Sequence, residues 1–156
     1  MKSNGDKQSR LAPGKDDGVR PAIRTFVLDD DPFTLAALTQ LILKGERIEI
    51  VGAATDGRTA FQPAAMTHPD LVLIEVQTPG LDAMHVIGWL KQLQNPPAVF
   101  VVTSADNCGS QTGCLASGAD AFLLKTVDLS AELQAAIHKF VLPRSRKEKP
   151  GRRSAP

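Results

Sequence analysis

Five short apolar runs punctuate the chain: IRTFVL at 23–28, IEIVGA at 48–53, LVLI at 71–74, AVFVV at 98–102 and AFLL at 121–124. Each has the length of a strand. The third and fourth are unbroken, the pattern of strands covered on both faces. The stretches between them repeat at helical spacing instead. Leu35, Leu38 and Ile42 mark a first helix over 33–43, preceded by Asp29-Asp30-Asp31-Pro32 and closed by Gly45 as a C′ glycine. Asp56 can cap a second helix, which Pro63 shortens. Asp82 caps a third over 83–93, with Val86, Ile87 and Leu90 on its apolar face, and Asn95-Pro96-Pro97 ends it. The next segment carries Gly109 and Gly113, each costing a helix about 1 kcal/mol relative to Ala. The fourth helix is therefore predicted to be short, frayed or mobile. Asp128 or Ser130 caps a last helix through His138.

A strand followed by a helix, five times over, specifies a single α/β domain: a (βα)5 doubly wound parallel sheet with helices on both faces. That domain is read over residues 21–142. Residues 1–20 are rich in Gly, Ser, Lys and Asp and read as a disordered leader, and 143–156 as a disordered basic tail.

Composition narrows the reading. The chain is 42% hydrophobic but only 4% aromatic, so its core must be aliphatic. Charge is segregated along it. Residues 1–20 carry five Lys/Arg against three Asp/Glu, a net +2, and 141–156 carry six against one, a net +5. Between them, seven face thirteen, a net −6. An acidic body beside a basic tail is not the profile of a folded nucleic-acid-binding face. No run of 18 apolar residues could span a membrane, and the polar first residues lack a signal-peptide core, so a cytoplasmic protein is expected. Cys108 and Cys114, six apart, fit neither a zinc motif nor C-x-x-C and read as small residues of a reduced protein.

In doubly wound sheets the ligand site lies beyond the carboxyl ends of the strands. Asp29-Asp30-Asp31 ends the first strand here, Glu75 the third, Thr103-Ser104 the fourth and Lys125 the fifth. Grouped carboxylates repel unless a cation holds them, and a hard divalent ion with oxygen ligands, Mg²⁺ above all, suits them. A lysine and a hydroxyl at the same edge suit an anion beside that ion.

These residues lie in motifs that carry a resemblance: VLDDDP at 27–32, IEIVGAATDG at 48–57, HPDLVLIEVQTPGLD at 68–82, VFVVTSA at 99–105 and GADAFLLK at 118–125. In this order and spacing the chain resembles the receiver domain of bacterial two-component response regulators over residues 22–140. The second and third motifs lean toward receivers usually joined to a DNA-binding helix-turn-helix, which the 14-residue tail is too short to supply. The resemblance implies strand order 2-1-3-4-5. It implies Asp29 and Asp30 as the Mg²⁺-binding acidic pair, Thr103 as the switch hydroxyl, Phe122 as the switch aromatic and Lys125 as the phosphate-pairing lysine. Glu75 stands at the phosphoacceptor position, where the family has aspartate. Output, and any homodimer, would use the face built on the fourth helix, fifth strand and fifth helix. The partner would be a histidine kinase or a downstream signalling protein.

Glu75 is the main departure. One extra methylene adds about 1.5 Å of reach on a fixed backbone, and in-line phosphotransfer loses roughly a hundredfold for errors near 1 Å. The longer arm also carries the carboxylate toward the space of an aspartyl phosphate, near Lys125 and Thr103. The expected protein is thus a stand-alone atypical receiver acting by protein–protein contact without phosphorylation, with any Mg²⁺ held weakly at Asp29, Asp30 and Glu75. Three lesser departures are Thr78 for the usual Met, Asp31 as a third acid, and Thr126 for a common Pro after Lys125, where no cis peptide is expected. Four readings stand beside it: a conventional phosphoacceptor receiver switched by a histidine kinase; a phosphatase, from the faint D-x-D-x-T likeness of DDDPFT at 29–34; a DNA contact through the basic tail; and a pocket turned to another ligand.

Overall fold

A computed structural model describes residues 19–104 and 108–145. The strands fall where the apolar runs place them: β1 Ile23–Leu28, β2 Ile48–Ala54, β3 Leu71–Ile74, β4 Ala98–Thr103 and β5 Ala121–Leu124. All four pairings are parallel, in the order β2-β1-β3-β4-β5. The helices are α1 Pro32–Leu43, α2 Phe61–Met66 (behind a 3-10 turn, Gly57–Thr59), α3 Ala83–Lys91, α4 Cys108–Ala116, α5 Leu129–Phe140 and a last turn, α6 Leu142–Ser145.

The two-residue period of the strands sorts the core into two layers. Val27, Leu71, Leu73, Phe100 and Val102 point to one face, under Leu38 and Leu41 of α1 and Leu133 and Ile137 of α5. Phe26, Leu28, Val72, Ile74, Val99 and Val101 point to the other, under Ala64 of α2, Val86, Ile87 and Leu90 of α3, and Cys114 of α4. β3 and β4 are buried along their whole length, as their unbroken apolar runs require.

Local signals act where expected, with exceptions. Asp31 caps α1 by accepting from the Phe33 amide at 2.9 Å, with Pro32 in the first turn, and Gly45 closes the helix at φ +96°. The buried stripe of α1, however, is Thr34, Ala37, Leu38 and Leu41, whereas Leu35 and Ile42 are exposed. The i, i+3, i+4, i+7 set beginning at Thr34 buries a threonine because that hydroxyl has a partner inside. Asp128 occupies the cap position of α5 without a side-chain bond to the helix. Helix α4 has nine residues. Its Gly113 lets α3 come close: a Cβ there would lie 2.6 Å from Met84 Sδ. The body extends into the segment read as tail, since Arg144 donates to Asp120 at 3.0 Å. Residues 1–18 of the expected leader and 146–156 of the tail lie outside the described residues.

Candidate functional site

The charged residues that follow β1, β3 and β5 are still tied into the sheet by their backbones. The Asp29 amide donates to Ala54 O at 3.1 Å, the Glu75 amide to Leu28 O at 2.9 Å and the Lys125 amide to Thr103 O at 2.9 Å. Each side chain thus starts one residue past its strand, at a height set by the ladder, while Thr103 is the last residue of β4. The carboxyl edge of the sheet gathers all four.

Lys125 is the centre of the group. Its Nζ lies 2.9 Å from Asp29 Oδ2, 3.0 Å from Glu75 Oε2 and 3.2 Å from Asp31 Oδ2. The side chains of Lys125, Asp29 and Glu75 are only 4%, 2% and 4% exposed. The other carboxylate oxygens also have donors. Asp29 Oδ1 accepts from the Asp31 amide at 2.9 Å, and its Oδ2 from Thr34 Oγ1 at 2.6 Å. Glu75 Oε1 accepts from Thr103 Oγ1 at 2.6 Å and from the Gln77 amide at 3.0 Å. Burial pulls the Lys125 ammonium toward neutrality, but bonds from Asp29 and Glu75 outweigh it and hold its pKa above the ordinary 10.5. The Phe33 amide, then Lys125, holds Asp31 below the usual carboxylate value.

The structure therefore brings together Asp29, Glu75, Thr103 and Lys125 of the residues singled out in the sequence. Asp30 is exposed and is not among the carboxylates on Lys125, and Asp31 fills the third place. Phe122, on β5, is half-buried against the Phe26–Ile74 layer. Thr34 went unnoticed as a partner of Asp29, although its position five residues on, just inside a helix start, puts it within reach of that acid. The same threonine carried the phosphatase likeness. Its hydroxyl and Lys125 both bond the Asp29 oxygen that a nucleophile would need free.

Receiver domains typically bind Mg²⁺ at such an edge. The residues present do not fit it in this arrangement. Every oxygen of Asp29 and Glu75 already accepts a bond, and among the described residues no three His, Cys, Asp or Glu side chains are placed to hold a metal ion.

Thr78, three residues past Glu75, is 3% exposed, and its Oγ1 has no hydrogen-bond partner among the described residues. A buried hydroxyl without a bond costs stability that an isosteric methyl does not. Thr78→Val is accordingly expected to raise the unfolding free energy by about 1 kcal/mol. Urea titration checks this, and a loss of stability would show that the hydroxyl is bonded.

The family model described as response regulator receiver domain matches residues 25–138. Among curated proteins, the DNA-binding transcriptional activator EvgA of Escherichia coli (strain K12) is 29% identical over 103 residues, 66% of this chain and 50% of that protein. A putative transcriptional regulator of Pseudomonas aeruginosa is 33% identical over 72% of this chain and 54% of its own length. Protein-glutamate methylesterase/protein-glutamine glutaminase 3 of Myxococcus xanthus is 36% identical over 68% of this chain and 30% of its own. The chain thus spans about half the length, or less, of these relatives. Among solved structures, the signal receiver domain of the putative response regulator NarL from Mycobacterium tuberculosis superposes with a TM-score of 0.63 at 30% identity, covering 74% of this chain and 97% of that one. The response regulator domain of Thermotoga maritima CheB shares the fold at a TM-score of 0.65, covering 77% of this chain and 96% of that one. With the five-stranded order and the acid–lysine edge in place, the chain belongs to the response regulator receiver domain family of two-component signalling.

Proposed function

We propose that this protein is a receiver whose output state is set without a phosphoryl group, and that it signals by protein–protein contact in the cytoplasm. The observation that carries the reading is the double engagement of Glu75, by Thr103 on one oxygen and Lys125 on the other. By the family resemblance, that hydroxyl and that ammonium are the groups that would meet an aspartyl phosphate. Glu75 gives them one negative charge and two oxygens, a partial substitute for the nearly two charges and three oxygens of a phosphoryl group.

Electrostatics supports the same reading. Among the described residues, the fully buried part of the pocket holds two carboxylates and one ammonium, a net −1. Phosphorylation of Glu75 would exchange its single charge for nearly two, adding about one more negative charge there. The partner is a histidine kinase or a downstream signalling protein, and the relatives named as transcriptional regulators favour an output to transcription. Roles of Phe122 and of the face built on α4, β5 and α5 belong to this proposal, as does homodimerisation through that face.

Incubation with acetyl phosphate and Mg²⁺, followed by mass spectrometry, tests it. The wild type is expected to gain no phosphoryl group. Glu75→Asp, with the family's acceptor restored, is expected to label at least about a hundredfold faster. Stoichiometric labelling of Glu75 in the wild type overturns the proposal.

A further inference from the structure

We propose that Lys125 is the resident cation of this pocket and stands in place of a divalent metal ion rather than beside one. The first argument is distance. Nζ lies 2.9–3.2 Å from Asp29, Glu75 and Asp31 oxygens, the range of N–H···O bonds. Mg²⁺ takes its oxygens at about 2.0–2.1 Å in near-octahedral geometry. Oxygens spaced around an ammonium are therefore about 1 Å too far from a common centre to share that ion. The second is occupancy. Of the acidic pair implied by the resemblance, Asp30 is exposed, so among the described residues Asp29 and Glu75 are the buried carboxylates at the edge, and each already bonds Lys125. A metal would have to evict a charged amine whose partners are its own ligands, or sit beside it at a short like-charge distance. The third is reach. The extra methylene of Glu75 brings its Oε2 to Lys125 while Oε1 stays on Thr103. Glutamate at this position closes the acids around the amine.

The pocket is then insensitive to chelators, and the charge a metal would supply for phosphoryl transfer is missing. This inference deepens the proposed function and uses the same pocket, but it does not require that Glu75 refuse a phosphoryl group. Labelling of wild-type Glu75 would sink the functional reading, whereas metal binding without labelling would sink only this one.

The test is titration of the full chain with Mn²⁺, followed by the loss of the free-ion electron paramagnetic resonance signal, with Mg²⁺ as competitor. Wild type is expected to show no saturable site up to about 10 mM. Glu75→Asp, which withdraws the carboxylate from the amine, and Lys125→Gln, which removes the charge, are expected to bind at least about tenfold more tightly. Folding of each variant is checked by Trp89 fluorescence. A saturable, Mg²⁺-competed site in the wild type overturns the proposal, whether or not Lys125→Gln folds. So does a folded Glu75→Asp that binds no better than wild type.

Discussion

Lys125→Met is expected to lose about 3–5 kcal/mol of stability, because removing one member of a buried ion cluster strands the charges left behind. The Lys125 side chain is 4% exposed and contacts Asp29 and Glu75, themselves buried. Methionine fills a similar volume, so the loss is electrostatic rather than a cavity effect. Against a domain stability of about 5–15 kcal/mol, it is a large fraction. Asp29 keeps Thr34 and the Asp31 amide, and Glu75 keeps Thr103 and the Gln77 amide. Those bonds soften the loss but do not neutralise two charges. Urea unfolding at pH 7, read through Trp89 (half-buried, 4.9 Å from the Phe61 ring), measures it. The double variant Lys125→Met/Glu75→Gln is expected to be more stable than Lys125→Met alone, since it leaves one stranded charge instead of two. A Lys125→Met protein within about 1 kcal/mol of wild type would mean that the cluster contributes no more than a surface pair.

The same cluster sets a pH dependence with a definite sign. The folded pKa of Lys125 is raised above 10.5. Its contribution is therefore complete below that value and is lost as pH rises through the folded pKa. Asp31 is shifted down, so its contribution is present above the ordinary 3.8 and fades as pH falls through its lower folded value. The wild type should weaken above pH 10.5, and Lys125→Met should lack that alkaline loss.

Much of the frame was legible in the sequence because local pattern and tertiary placement agree there. LVLI and AVFVV are apolar on both sides of the pleat, and only a strand sandwiched by helices satisfies them. Ladder geometry then carries Asp29, Glu75, Thr103 and Lys125 to one edge, whatever else surrounds them. What the sequence could not show depends on which way a side chain turns. Helix α1 offers two overlapping apolar stripes, and the buried one includes Thr34 because Asp29 supplies a buried acceptor at 2.6 Å. Of three successive aspartates, each with the same charge, Asp29 points in, Asp31 both caps α1 and reaches Lys125, and Asp30 is left in water. Gly113 reads as a helix breaker by propensity, yet its missing side chain is where Met84 packs. Nor does spacing alone reveal that TDG at 55–57 and PGL at 79–81, 24 residues apart, touch.

That contact yields the second large effect. Gly57→Ala is expected to destabilise by about 1–3 kcal/mol, the usual range for forcing atoms into a filled site. The Gly57 amide donates to Pro79 O at 2.9 Å, and a Cβ at 57 would lie 2.5 Å from Leu81 Cα and 2.8 Å from Gly80 O. Both are backbone atoms, so no side chain can swing away. Gly80 is itself held at φ +68°, which leaves the turn little freedom to adjust. The loop must shift, and the shift has a route to the site: the Leu81 amide bonds Thr78 O, and the Thr78 amide bonds Glu75 O, both at 3.2 Å. Gly88→Ala is the matched control. It lies within α3, and a Cβ there meets no atom of the described residues within 4 Å. It should gain about 0.5–1 kcal/mol from helix propensity and a less free unfolded chain. Urea midpoints should therefore move in opposite directions for the two alanines. The amide resonance of Gln77, which donates to Glu75 Oε1, should move in Gly57→Ala and stay in Gly88→Ala. Equal midpoints and an unmoved Gln77 resonance would show that the turn yields without disturbing Glu75. An opposite-signed pair would show instead that the two glycine-bearing loops brace the glutamate from below, so that the pocket geometry depends on a close backbone contact as much as on its charges.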